Sequence, residues 1–195
     1  MKNFTFIIIL FLIPFYGISQ TKTPIDSFLG IKFRSSYEMV KDSMKTRSGR
    51  LDTAKSKPDF LLFEGVKHGE ATSQIFTVKF VNNMAYEAGF AFKPDFESKI
   101  IDYYYILVNN LNAVYGASKV IRNFKSPYTA GGDYIQLKAL RTGHGDYYNV
   151  WTGTNKNRIF MAIRPGPGDN LSLYIMLMYQ DGVLTDQVAS ETKAN

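Results

Sequence analysis

The chain of 195 residues holds two histidines, and each stands two residues before a carboxylate: His68-Gly69-Glu70 and His144-Gly145-Asp146. On an extended strand residues i and i+2 point to the same face, so each pair would offer an imidazole and a carboxylate together. Two such pairs could in principle ligate a metal ion. Neither histidine has the helical His-x-x-x-His spacing of a metalloprotease, and both sit beside glycine, where polar loop residues are common. There is no cysteine, which removes a thiol nucleophile, a Cys-ligated zinc or iron-sulfur site, a disulfide scaffold and a lipid-modified N-terminal Cys. No Gly-x-Ser-x-Gly elbow occurs, and the glycines at 65–69 and 166–168 lack a phosphate-loop pattern. Asp95, Glu97 and Asp102 cluster where a helix begins, and the helix dipole accounts for them there. These absences predict no catalytic metal and no nucleotide or other cofactor. A carboxylate-based hydrolase acting on a glycan stays open, and it would need two carboxylates roughly 5 to 9 Å apart.

Charge and aromatic residues suggest binding instead. The chain carries 23 Lys and Arg against 17 Asp and Glu, a formal +6. Between Ile31 and Lys57 lie Lys32, Arg34, Lys41, Lys45, Arg47, Arg50, Lys55 and Lys57 against Glu38, Asp42 and Asp52, so that segment alone has 8 − 3 = +5. A basic flank around the first helix, centred on Arg34, Lys41, Lys45 and Arg47, is therefore expected; it either binds an anionic partner or is a solvated helix face. Ten of the thirteen tyrosines fall from Tyr103 to Tyr179. Tyr103 and Tyr104 fit a core. Tyr147 and Tyr148 with Trp151 either pack inside or form an exposed aromatic platform for sugar or protein.

The elements that must position these residues can be read from periodicity. Ser35-Ser36-Tyr37-Glu38 has the form of a capping box, Tyr37, Val40 and Met44 follow on one helical face, and Gly49 suits a C-cap. Strands are predicted at 60–63, 75–81 and 84–92. In the last two, a three-residue loop would pair Val81 with Ala85 and keep Phe80, Val78 and Phe76 opposite Tyr86, Ala88 and Phe90. Asp95 can cap a long helix with Ile100, Tyr104, Leu107, Leu111 and Val114 in one stripe and Gly116 at its end. A broad neighbouring arc holds Ile101, Tyr105 and Val108. Lys119 to Phe124 reads as a strand, and Asp133 to Leu140 suits a short helix or a strand, with the helix preferred. Three more strands, 147–152, 158–164 and 171–179, are joined by turns at 154–157 and 165–168. The tail from Asp181 is polar and expected to fray.

The predicted class is α+β: two related helix-plus-antiparallel-sheet units packed as layers, residues 20–93 and 94–180, with 181–195 as a polar tail. Residues 1–19 read as a secretory leader, with Lys2 followed by an apolar run from Phe4 to Ile18 and small residues at Gly17 and Ser19. The run spans 15 residues and contains Pro14, shorter than the roughly 20 a spanning helix needs. Cleavage near Ser19-Gln20 and a periplasmic or extracellular address are expected, the alternative being an uncleaved N-terminal anchor. A leader without cysteines implies a fold held by packing alone. The partner would then be an envelope protein or another anionic envelope component, with no role for nucleic acid.

Phe28-Leu29-Gly30-Ile31-Lys32-Phe33-Arg34-Ser35-Ser36-Tyr37-Glu38-Met39-Val40 resembles the opening of repeats in the β-lactamase-inhibitor-like superfamily, which includes small outer-membrane assembly lipoproteins. In that superfamily a short apolar-Gly-apolar segment leads into a Ser-capped helix and an antiparallel hairpin sheet. The segments Leu111-x-x-Val114-Tyr115-Gly116 and Val150-Trp151, with the hairpin from Asn155 to Ile159, are similar to exported bacterial proteins of uncharacterised function. The resemblance implies an architecture and a protein-binding rather than catalytic role, and it assigns no functional residue. The chain departs from the pattern at Arg34, where such openings often have glycine, and in having no lipidated or disulfide-forming cysteine.

Overall fold

The computed structural model describes residues 23–166 and 172–194. The leader reading over 1–19, its cleavage point and residues 167–168 of the 165–168 turn lie outside the described residues. The fold is α+β. A hairpin of β1 (Ser27–Phe28) and β2 (Ile31–Lys32) leads to α1 (Tyr37–Lys45), β3 (Arg50–Leu51) and β4 (Phe60–Glu64). A small hairpin of β5 (Lys67–His68) and β6 (Ala71–Thr72) precedes β7 (Ile75–Val81) and β8 (Met84–Phe92). The second half runs α2 (Ile100–Tyr115), β9 (Lys119–Phe124), α3 (Asp133–Arg141), β10 (Gly145–Thr152), β11 (Arg158–Pro165), β12 (Leu173–Gln180) and α4 (Gly182–Ala194).

Eight strands form one sheet in the order β3-β4-β7-β8-β12-β11-β10-β9, with antiparallel neighbours throughout. Each half therefore supplies a helix and a four-strand meander, and β8 against β12 joins the meanders. Alternation decides which side chains enter the core. Phe76, Val78, Phe90, Phe92, Ile175, Leu177, Tyr179, Ile159, Met161 and Ile163 face inward. They meet Val40 and Met44 of α1, Ile100, Tyr104, Leu107 and Leu111 of α2, and Leu137 and Leu140 of α3. Aromatic rings dominate the centre, where Phe76 and Phe90 pack at 4.5 Å between centroids.

Several local expectations change. Ser36, not Ser35, caps α1 by accepting the Met39 amide at 3.3 Å, and Ser35 is buried. Glu38 is thereby one position too early to close a capping box. The helix ends at Thr46, so Gly49 instead serves the approach to β3 with φ +134°. The β7–β8 hairpin closes through a two-residue turn, with Asn82 and Asn83 both left-handed and Val81 opposite Met84. Phe80 consequently faces Ala85. A bulge beside Lys79 and Phe80 then restores the expected pairs Val78 with Ala88 and Phe76 with Phe90. A short 3-10 turn, Glu97–Lys99, starts α2 in place of an Asp95 cap. Val114 and Tyr105 lie on the exposed side of that helix.

The tail is the largest change, because residues 182–194 form α4. Asp181 is buried and its Oδ1 accepts the amides of Val183 and Leu184 at 3.0 and 3.1 Å, while Arg34 Nε reaches its Oδ2 at 2.8 Å. Burial alone would raise the Asp181 carboxyl, but the Arg34 guanidinium and the two amides hold it below the ordinary carboxylate range. Arg34 itself has φ +68°, held by the hydrogen bond its backbone N–H donates to the Ala85 carbonyl at 2.7 Å. Asp181→Ala removes the cap and is expected to cost about 1 to 2 kcal/mol. Amide hydrogen exchange should report this as loss of protection over 182–194 ahead of the sheet; unchanged protection there would contradict the capping role.

Candidate functional site

The residues singled out in the sequence do not assemble into one site. Lys32, Arg34, Lys41, Lys45, Arg50 and Lys55 each pair with a carboxylate. Three of the partners, Asp26, Glu64 and Asp181, come from outside the basic segment, which lowers its local excess from +5 to 5 − 3 = +2. Arg47 donates to the Leu29 carbonyl. The flank is thus a solvated, mostly neutralised helix face, and exposed pairs of this kind contribute little to stability.

The proposed aromatic platform is also taken apart. Trp151 and Tyr147 are each only 2% exposed. Both face inward beneath α2, where the Trp151 indole N–H points between Asn112 Oδ1 and the Gly116 carbonyl, each 3.0 Å away. Tyr147 lies under the Arg122 guanidinium, whose carbon is 3.5 Å from the ring centroid. Arg122 also donates to Asn149 Oδ1 at 2.9 Å and to the Tyr148 carbonyl at 2.8 Å. The Tyr104 hydroxyl is 2.8 Å from the same Asn149 oxygen. Burial raises the Tyr104 and Tyr147 hydroxyls well above the ordinary range, so both stay protonated donors. This cluster is a hydrogen-bonded packing network joining α2, β9 and β10.

His68 is likewise a core residue and not a polar loop residue. Its Nε2 is 2.7 Å from the Tyr179 hydroxyl, and its ring packs edge-on against Phe90 at 5.1 Å and Phe92 at 6.3 Å. His144 is exposed; its Nδ1 is 3.1 Å from Thr142 Oγ1 and its ring lies 5.6 Å from that of Tyr128. Among the described residues no group of three His, Asp or Glu side chains could hold a metal. Burial lowers the His68 pKa below its ordinary 6.5. The unfolded chain therefore binds the proton more readily, so stability is full above pH 6.5 and falls as the pH drops from there through the folded-state value. Urea midpoints should decline between pH 7.5 and 5, and His68→Gln should flatten that decline. Equal slopes for the two proteins would contradict a buried neutral His68.

The face of the sheet turned away from α1, α2 and α3 carries the open site. Pairing places its side chains in rows: Thr152, Arg158 and Gln180; Val150, Phe160 and Met178; Tyr148, Ala162 and Met176; Asp146, Arg164 and Tyr174. In the third row Tyr148 and Met176 close over a small Ala162 that is 0% exposed, and the shallow trough along β11 has its open parts on either side of that row. It opens into two adjoining hollows that share Asp146 and Arg164, of about 620 and 490 Å³, the larger of which also touches Leu140, Gly143 and Ile163 on the α3 side of the sheet. The walls are Tyr148, Phe160, Tyr174 and the thioethers of Met176 and Met178. Phe160 and Tyr148 pack at 5.1 Å, and the Arg164 guanidinium sits over Phe160 at 5.9 Å. Lys119, Lys125, Arg158 and Arg164 supply positive charge here; the carboxylates facing them are Asp146, 3.6 Å from Arg164, and Glu87, which accepts from Gln180 at 2.7 Å and pairs with Lys79.

Of the seven residues suggested by sequence, only Tyr148 belongs to this face. The alternation of Arg158, Phe160, Ala162 and Arg164 was a usable signal, since Ile159, Met161 and Ile163 between them already account for the core. No family model, no curated protein and no solved structure matches the chain.

Proposed function

We propose that the chain is an exported, non-enzymatic binding module of the cell envelope, and that it takes a partner protein on the outer face of β10, β11 and β12. The observation carrying this reading is the shallow trough along β11, which is walled by aromatic and methionine side chains and flanked by arginine. Tyr and Arg are the residue types that dominate binding energy at protein interfaces, and flexible thioethers adapt to varied surfaces. A glycan hydrolase is disfavoured because among the described residues Asp146 is the one carboxylate lining the two hollows, where hydrolysis needs two acids. Among the described residues no helix is long and apolar enough to cross a membrane.

The export part of the proposal rests on the leader pattern of residues 1–19. The repetition of a helix followed by a four-strand meander supports the resemblance to tandem binding modules. So does the left-handed Arg34 at the position where such openings favour glycine.

Fractionation tests the address: protein outside the cytoplasm should begin at or near Gln20, and exported protein retaining Met1 would contradict cleavage. Pull-down from envelope extract tests the surface. Phe160→Glu places a charge in the trough on a half-buried side chain and should abolish recovery of the partner captured by the wild type. The triple reversal of Lys41, Lys45 and Arg47 to Glu should leave recovery unchanged. Loss with the reversal and retention with Phe160→Glu would move the site to the helix flank.

A further inference from the structure

From the charges at the two ends of the trough we infer the chemistry of its occupant: an extended peptide segment of a partner protein with acidic side chains at both ends and apolar side chains between. The inference rests on the proposed binding face and adds what that face selects. Arg158 and Arg164 lie on the same face of β11, six residues apart, which at about 3.3 Å per residue separates them by roughly 20 Å. Between them the exposed floor is Phe160, with Tyr148 and Val150 along one wall and Met176 and Met178 along the other, and Tyr148 and Met176 close over the buried Ala162. An extended chain has the same rise per residue, so a carboxylate at one position and another six residues later match the two guanidiniums. Intervening alternate side chains then lie in the apolar middle.

The two arginines are held in ways that leave them able to bind. Arg158 is exposed and its Nε donates to Gln180 Oε1 at 2.5 Å, while the Gln180 amide donates on to Glu87, whose charge is paired with Lys79. Arg164 faces Asp146 at 3.6 Å, beyond good hydrogen-bond distance, and its planar fork lies over the Phe160 ring. Guanidinium groups already oriented by an aromatic face or an amide can take a carboxylate through two parallel N–H donors with less ordering than free lysines. Lys125 and Lys119 extend the positive field at the rim and favour an acidic occupant during approach. The middle offers apolar contact and few neutral hydrogen-bonding groups, which suits side chains of a peptide better than sugar hydroxyls.

The test is selection of a displayed random heptapeptide library on the cleaved, full-length protein, followed by affinity measurement of the best synthetic peptide. Enriched sequences should carry Asp or Glu at both ends and apolar residues at alternate inner positions. Arg158→Glu with Arg164→Glu should weaken the peptide by about tenfold or more, and raised salt should weaken wild-type binding. No enrichment, no acidic bias, or unchanged affinity in the double reversal would overturn the inference. Dextran sulfate competing as well as the peptide, with no apolar preference at inner positions, would also overturn it by reducing the site to bare charge. Peptides that lack acids yet lose binding to Phe160→Glu would leave the binding face standing and remove only its acidic selectivity. Peptides insensitive to Phe160→Glu would remove the face itself.

Discussion

Trp151→Ala is expected to destabilise the fold by about 3 to 5 kcal/mol, the usual cost of emptying a large buried ring site. The indole is enclosed beneath α2, and its N–H is the donor for both Asn112 Oδ1 and the Gly116 carbonyl at the end of that helix. Its loss therefore creates a cavity and leaves acceptors short of a partner at the point where α2 turns into β9. Trp151→Phe keeps most of the ring volume and should cost distinctly less. Urea denaturation followed by circular dichroism measures both variants. If Trp151→Ala stayed within about 0.5 kcal/mol of wild type, the range of ordinary surface changes, while abolishing capture of a partner, Trp151 would be a surface platform after all.

Asn149→Leu should be nearly as severe, at about 3 kcal/mol, because it removes an acceptor shared by a charged donor and a buried hydroxyl. Asn149 Oδ1 takes hydrogen bonds from Arg122 and Tyr104, and its amide donates to Ser118 Oγ at 2.7 Å. The Arg122 guanidinium has no carboxylate among its contacts in the described residues, and its Nε, buried, has no acceptor there. Losing the Asn149 oxygen leaves that charge held only by carbonyls and by the Tyr147 ring. Tyr104→Phe alone should cost about 1 kcal/mol, since the Arg122 contact survives. The double variant should cost less than the sum of the two, because both break the same network. Strict additivity would show that Tyr104 and Arg122 do not share Asn149.

Elements with a clean period were legible in the sequence. The alternation of Phe76, Val78 and Phe80, and of Ala88, Phe90 and Phe92, placed β7 and β8 correctly; the 3.6-residue stripe of Ile100, Tyr104, Leu107 and Leu111 placed α2. Features set by distant partners were not. The bulge at Tyr86 lets a two-residue turn coexist with in-register aromatic pairs, and nothing local announces it. α4 has a modest apolar face, and its start is fixed by Asp181 gripping Arg34, a residue 147 positions earlier. Trp151 and His68 looked like surface chemistry because their types are common in sites, while burial is a property of the assembled layers. The trough was half visible. The face alternation along β11 could be read directly, but the rows that set Ala162 between Tyr148 and Met176 exist only once three strands are in register.

In-cell photo-crosslinking tests the binding face most directly. A benzophenone side chain placed at Val150 or Met178, on the outer face, is predicted to give a discrete crosslinked partner that disappears when Phe160→Glu is added. The same group at Asn109, exposed on α2, is predicted to give none. A partner crosslinked equally from Asn109 and from Val150, or one that persists from Asn109 alone, would contradict binding through the outer sheet face.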